Sequence, residues 1–300
     1  MKSIVIFGGA GFVGKHLIRR LAKNGHKILV PYQKSIQEAK IRLLGVTGQI
    51  IPFRYSSLND NRLKSVLKNS DICINLKTTY DQKKGPFADT IYKFNQRLTK
   101  VLKSNKNLKQ FIFFSGLGVD QDKNSTRSVA VYKSEKQAFK QLENVSIMRP
   151  GIIIGGGDIF LKRLLSIFKM SFFVPLFGDG SKKFQPVFID DISLAVEKII
   201  NDNIKGKNIY ELAGPRIISY RDFYKYISKC LNKTRVLVPV PLNIMKPLIS
   251  ITEKTPFSPL TLEQLRLFEK DNILQNVDKT FKNLDINPQD TLQITSNIIE

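Results

Sequence analysis

Tyr132 and Lys136 stand four residues apart, a spacing that puts two side chains on one face of a helix, and Ser115 precedes them at the end of an apolar run. A carbonyl carbon that accepts a hydride needs a proton on its oxygen, and a phenol can give one. An unperturbed tyrosine titrates near ~10, and a neighbouring ammonium stabilises the phenolate and draws that value down. Tyr132 is therefore the candidate proton donor and Lys136 its activator and a ribose ligand, with Ser115 holding the substrate oxygen. Each type also has an ordinary use. A serine at a strand end closes turns, and Tyr-x-x-x-Lys recurs by chance in a chain with 48 Lys and Arg residues.

The hydride would come from a dinucleotide, and the first residues have the pattern that binds one. Met1–Phe7 reads as a strand, Gly8-Gly9-Ala10-Gly11-Phe12-Val13-Gly14 follows without a gap, and Val13, Leu17, Ile18 and Leu21 then repeat at helical spacing up to Asn24-Gly25. In such a strand–turn–helix unit Gly8 makes the turn, Gly11 admits a pyrophosphate to the backbone, and Gly14 packs the helix on the sheet. The phosphates rest on the free N–H groups of the helix start. The second strand ends in Pro31-Tyr32-Gln33-Lys34, with no acid for the ribose hydroxyls and a lysine available for a 2′-phosphate. This favours NADP(H), with NAD(H) the alternative. The candidate cofactor contacts are Gly8, Gly11, Phe12, Val13, Gly14, Gln33, Lys34, Ser56, Leu76, Asn95 and Pro150.

The elements that must position these residues alternate regularly. Strands are expected at Lys27–Val30, Gln49–Phe53, Asp71–Leu76, Gln110–Ser115 and Ser146–Pro150. Helices are expected over Ser35–Leu44, Asp60–Lys68, Asp89–Lys103 and Val131–Leu142. That rhythm predicts an α/β fold with a doubly wound parallel Rossmann sheet and right-handed crossovers. After Pro150 the rhythm changes. Residues 1–154 are expected to form the dinucleotide domain and residues 155–183 with 214–300 a smaller α/β lobe, while 184–213 returns to the main sheet through a helix opened by Asp190-Asp191 and a strand at Asn208–Ala213. The polar stretch between Ser115 and Tyr132 reads as a mobile loop.

Three hundred residues suffice for such a core, and no apolar run approaches the ~20 residues of a membrane helix. The first residues are a strand running into glycines rather than a signal peptide, so a cytoplasmic protein is expected, with a peripheral position on the inner face of a membrane as a further option. Cys73 and Cys230 lie far apart, and neither they nor His16 and His26 have metal-site spacing. A net charge of +23 suits an anionic lipid surface or an acidic protein partner. It is equally what a lysine- and asparagine-rich codon drift produces. No nucleic-acid module is visible, and none is expected as a partner. Val238–Ile251 mixes Pro, Leu, Ile and Met with Lys246 and has no acid, so it suits a bilayer surface, a subunit contact or a helix packed on the lobe.

Several segments carry a resemblance. Leu29-Val30-Pro31-Tyr32, Arg149-Pro150-Gly151-Ile152-Ile153, Phe184–Phe188 with Asp190-Asp191-Ile192, and Glu211–Pro215 resemble the atypical and extended short-chain dehydrogenases/reductases, the epimerase/dehydratase-like group. The tail (Thr255–Thr261, Gln264-Leu265-Arg266, Asp271-Asn272, Leu284–Pro288) is similar to the group of complex I alpha-subcomplex subunit nine. The resemblance implies bound NADP(H), a Rossmann core, and an association with complex I subunits or quinone-pathway proteins near a membrane, as an accessory or assembly factor or as a reductase. A catalytically active NADP-dependent oxidoreductase or a sugar-nucleotide epimerase/dehydratase is the alternative. Two departures stand out: Gln33 replaces the group's arginine at the end of the second strand, and the interval from Ser115 to Tyr132 is long.

Overall fold

Runs rich in β-branched and aromatic residues make strands that can be largely buried on both faces. Seven of them build the central sheet: β1 (Ser3–Phe7), β2 (Lys27–Tyr32), β3 (Ile50–Arg54), β4 (Ile72–Asn75), β5 (Gln110–Phe114), β6 (Val145–Pro150) and β7 (Lys207–Leu212). The computed structural model of the chain describes residues 1–34, 36–80, 82, 85–252, 260–275 and 279–299. All pairings in this sheet are parallel, in the order β7-β6-β5-β4-β1-β2-β3. The winding reverses between β1 and β4, and that switch point is where open α/β sheets bind ligands beyond the strand ends.

Alternation along β1 shows how the sheet separates two cores. Ile4 and Ile6 face α1 (Phe12–Lys23) and α7 (Ile189–Asn201), while Val5 and Phe7 face α3 (Asn61–Lys68), α4 (Phe94–Lys103) and α5 (Thr126–Gln141). α2 (Glu38–Arg42) is shorter than its sequence pattern, whose first residue, Ser35, lies outside the described residues. The expected long helix before β5 begins as a π-helical turn, Ala88–Lys93, and continues as α4. α5 begins five residues before the expected Val131, because Ser125 caps it by accepting the N–H of Ser128.

This early start, with four contacts, removes the expected mobile loop before α5. The Leu117 N–H donates to Pro150 O, Asp120 pairs with Arg149, Asp122 pairs with Lys270, and the Ser125 hydroxyl donates to Glu263.

The smaller lobe has its own apolar cluster. It is formed by α6 (Ile159–Met170), α8 (Tyr220–Cys230), α9 (Leu242–Thr252), α10 (Leu262–Leu265) and a parallel ribbon of Phe173–Phe177 with Val236–Val240, and α11 (Thr291–Ile299) packs on its edge. Part of the tail belongs elsewhere. Phe281, Leu284 and Ile286 join the core under α1 and α7, and Lys279 O accepts the N–H of Glu211 on β7. The Thr255–Pro259 part of the tail motif lies outside the described residues. Among the described residues, no helix is long and apolar enough to cross a membrane.

Candidate cofactor site

The glycine turn leaves β1 at the switch point. Gly8 has φ +79°, a left-handed conformation that costs glycine nothing, and a Cβ there would meet Leu76 Cβ, just past the end of β4, at 3.1 Å. At Gly14 a Cβ would come within 2.5 Å of the Gly9 backbone, so the helix packs directly on the turn. Gly11 differs. A Cβ there would meet only Gly8 O, at 3.3 Å, leaving its outer side open. Gly11 is also the N-cap of α1, with no capping side chain and no acid in the first turn, and Phe12 and Val13 are half-buried beside it. A helix start with free N–H groups, glycine on the approach side and no carboxylate in its first turn fits the pyrophosphate of a dinucleotide. Gly8, Gly11, Phe12, Val13, Gly14 and Leu76 are brought together here.

A cavity of about 400 Å³ opens beyond β2 and β3, lined by Gln33, Arg54, Tyr55 and Ser56. The Gln33 amide donates to Ser56 O at 3.2 Å, which ties the two strand ends. Arg54 lies beside Tyr32 in the register and is exposed. Lys77 Nζ stands 3.4 Å from both Gln33 Oε1 and the Tyr55 hydroxyl, and 3.8 Å from the centre of the Phe94 ring. Asp60, beside Ser56, accepts N–H groups from Ser56, Leu63 and Arg62, and these bonds hold it below the usual carboxylate range. Lys34 is exposed beside Gln33. Arg54 and Lys77 were not visible as candidates in the sequence. A lone cation at a strand end gives no signal in a lysine-rich chain, and only the strand register reveals Arg54.

Ser115 and Pro150 meet at the ends of β5 and β6, where Ser115 N–H donates to Met148 O at 2.8 Å. The Ser115 hydroxyl donates to Glu135 Oε1 at 2.5 Å. Glu135 also receives Arg149 Nε at 3.0 Å and Nη2 at 2.7 Å, a two-pronged pair, while Arg149 Nη1 donates to Asp120 at 2.9 Å and to Glu211 at 3.1 Å. Burial works against the Arg149 charge, but Glu135, Asp120 and Glu211 hold its pKa above the usual arginine value, and burial pushes the Glu211 carboxyl up. Asn95, fully buried, accepts from the Asn75 amide and donates to Ser134 O, both at 3.0 Å, and so clamps β4, α4 and α5 together from inside.

The buried face of α5 carries Arg127, Val131, Ser134, Glu135 and Ala138. Tyr132 and Lys136 lie off it, with Lys136 about half a turn out of phase with Arg127. The Tyr132 ring is half-buried against the apolar cluster under α4 and α5, and exposed Lys136 places Nζ 4.6 Å from the ring centre, over its face. Among the described residues no hydrogen bond joins Ser115 to Tyr132 or Lys136. The first turn of α5 instead points Arg127 at the loop after β4: Nε donates to Thr79 O at 2.9 Å and the guanidinium lies 3.7 Å from the centre of the Tyr80 ring.

Comparison with known proteins agrees with this geometry. The family model described as the NAD dependent epimerase/dehydratase family matches residues 4–213, from β1 through β7. The chain is 28% identical over 296 residues to "NADH dehydrogenase [ubiquinone] 1 alpha subcomplex subunit 9, mitochondrial" of Arabidopsis thaliana, covering 94% of this chain and 73% of that protein. It is 22% identical over 298 residues to the mitochondrial "NADH-ubiquinone oxidoreductase 40 kDa subunit" of Neurospora crassa, covering 98% and 78%. Among solved structures, UDP-glucuronic acid 4-epimerase from Bacillus cereus in complex with UDP-glucuronic acid and NAD superposes with a TM-score of 0.74 at 18% identity, over 99% of this chain and 98% of that one. The likeness to the solved structure shows the fold, and those to the two subunits extend past β7 into the lobe. With a dinucleotide cradle at its switch point and a family match over more than two thirds of its length, the chain belongs to the NAD-dependent epimerase/dehydratase family and is similar along nearly all of its length to complex I alpha subcomplex subunit 9.

Proposed function

We propose that this protein holds a nicotinamide dinucleotide, NADP(H) in preference to NAD(H), as a fixed part of its fold, and serves as an accessory or assembly component of a respiratory NADH–quinone oxidoreductase or of quinone metabolism. The observation that carries this reading is the state of α5. Ser115 is engaged by Glu135, Tyr132 is packed among apolar side chains, and the helix turns Arg127 toward the loop after β4. A bound nicotinamide would supply or accept a hydride, and the buried face of α5 offers a guanidinium, a valine and a salt-bridged carboxylate rather than a phenol. An arginine stays protonated at any physiological pH and cannot take part in proton exchange.

The open first turn of α1 supports dinucleotide binding, and the cavity at Gln33, Arg54, Tyr55 and Ser56 supports a phosphorylated ribose. Arg54, Lys77 and Lys34 supply positive charge near the ends of β2, β3 and β4. No acid lines that cavity, which leaves the ribose hydroxyls of NAD(H) without the carboxylate that usually selects it. The accessory role rests on the whole-length similarity to complex I subunits.

Fluorescence titration of NADPH and NADH tests both halves of the reading. NADPH should bind at least about tenfold tighter, as one charge-assisted hydrogen bond to the extra phosphate implies. Tyr132→Phe should leave binding unchanged, and neither protein should turn over a quinone and carbonyl panel. Turnover by the wild type that disappears in Tyr132→Phe would restore Ser115, Tyr132 and Lys136 as a catalytic trio. Tighter binding of NADH would overturn the cofactor preference.

A further inference from the structure

The ribbon of Phe173–Phe177 and Val236–Val240 has two different faces. Val174, Leu176 and Leu237 point into the lobe core. In the parallel register Phe173 sits beside Val236 and Pro175 beside Val238, so these four share the opposite face. That face is open at its first end: Phe173 is 61% exposed, Val236 and Val238 are exposed and Pro175 is half-buried, while Phe177 at the other end is covered by Phe268. Phe172 meets the Phe173 ring edge to face at 5.3 Å, and Met170, at the end of α6, is 88% exposed. Past Pro241 the chain enters α9, which carries exposed Ile244, Leu248 and Ile251 at one-turn spacing. Of the thirteen large apolar residues exposed among the described residues, ten fall between Ile159 and Ile251.

Charge follows the same boundary. Residues 159–178 and 229–252, which build this surface, contain seven Lys or Arg and no Asp or Glu, whereas the whole chain has about one acid for every two bases (25 against 48). Uniform lysine drift would have left three or four acids there. Lys169 and Lys233 are exposed close to the ribbon. A protein interface core is depleted in lysine. Lys246 is paired with Glu269, and exposed aromatic and aliphatic side chains flanked by Lys169 and Lys233 match the headgroup layer of an anionic bilayer. We propose that the outward face of this ribbon, with Phe172 and Met170, seats the protein on an anionic membrane surface.

Flotation of the full chain with vesicles tests this. At about 0.05 M salt the protein should float with phosphatidylcholine vesicles containing about 30% phosphatidylglycerol, should stay behind with phosphatidylcholine alone, and should be released at about 0.5 M salt. Phe172→Asp with Phe173→Asp should lower the partition coefficient at least about tenfold. Lys169→Gln with Lys233→Gln should lower it about thirtyfold. All four side chains are exposed, so thermal melting and NADPH binding should match the wild type. Leu43→Ser with Val46→Ser, which removes exposed apolar residues near α2, should float like the wild type. A wild type that never floats with the anionic vesicles, or a phenylalanine variant that floats equally well, overturns the proposal. So does a lipid-free dimer, seen by gel filtration, that the phenylalanine variant dissolves, because the face would then belong to a second copy.

Discussion

The first turns of α1 and α5 lie beyond the same ends of the parallel strands, on opposite faces of the sheet, yet one is open and the other closed. At α1 the cap is a glycine, no side chain answers the N–H groups, and no acid stands in the first turn. At α5 the Ser125 hydroxyl accepts from Ser128 and donates to Glu263, Arg127 is stacked over Tyr80, and Glu135 is shared by Ser115 and Arg149. The contrast separates two properties that usually occur together in this fold. The start of α1 is left open, while the groups at the start of α5 are engaged by internal pairs.

The largest test removes what closes α5. Arg149→Met leaves Glu135 and Glu211 buried without their cation and should cost about 3–5 kcal/mol in urea unfolding. Adding Glu135→Gln should recover part of that loss. A cost below about 1 kcal/mol would mean that the cluster is not what closes this face.

The start of α6 is a third case. Asp158 caps α6 by accepting the Leu161 N–H at 3.0 Å, while its second oxygen is buried and unpaired among the described residues. Burial pushes its pKa up to about 6. The folded state then binds this proton more tightly than the unfolded chain does. The group's contribution is complete below pH ~4 and is lost as pH rises through about 6, amounting to ~3 kcal/mol at neutrality. Asp158→Asn keeps the cap and lacks this slope, so its stability relative to wild type should rise between pH ~4 and ~7. A flat difference across that window would show that the carboxyl is not desolvated.

Gly14→Ala attacks the open turn. Its methyl would fall 2.5 Å from the Gly9 backbone, so helix and turn must separate, at about 1–3 kcal/mol and with NADPH affinity reduced more than stability. The smallest effect sharpens the cofactor preference. Arg54→Ala should weaken NADPH about tenfold by titration and leave NADH unchanged. Equal loss for both would place Arg54 away from the 2′-phosphate.

Much of the fold was legible because burial on both faces writes itself into composition. β4 and β5 are buried at every position and read as strands at once. The glycine turn was legible because the close approaches at Gly8 and Gly14 exclude other residue types. The first turn of α5 was not, since Thr126-Arg127-Ser128 is polar, and its arginine is buried by a carbonyl and an aromatic ring rather than by apolar contact. Tyr132 and Lys136 illustrate a limit of spacing: four residues fix a shared face, but not which way that face looks. Phe281 and Leu284 occupy a 3₁₀ turn too short to show a period, with Ile286 just past it, so their return to the main core could not be read in advance.

That return has a consequence for synthesis. Ile4 and Ile6 share their core with Phe281, Leu284 and Ile286, which follow them only after the other six strands of the sheet and most of the lobe. The growing chain can pair β1 to β6 early, but the α1 and α7 side stays unsealed until residues 281–286 have emerged. Contacts of such long range close slowly and leave apolar surface open meanwhile. Sheet and lobe are thus joined through the tail, and truncation within residues 279–286 would be felt at the first strand.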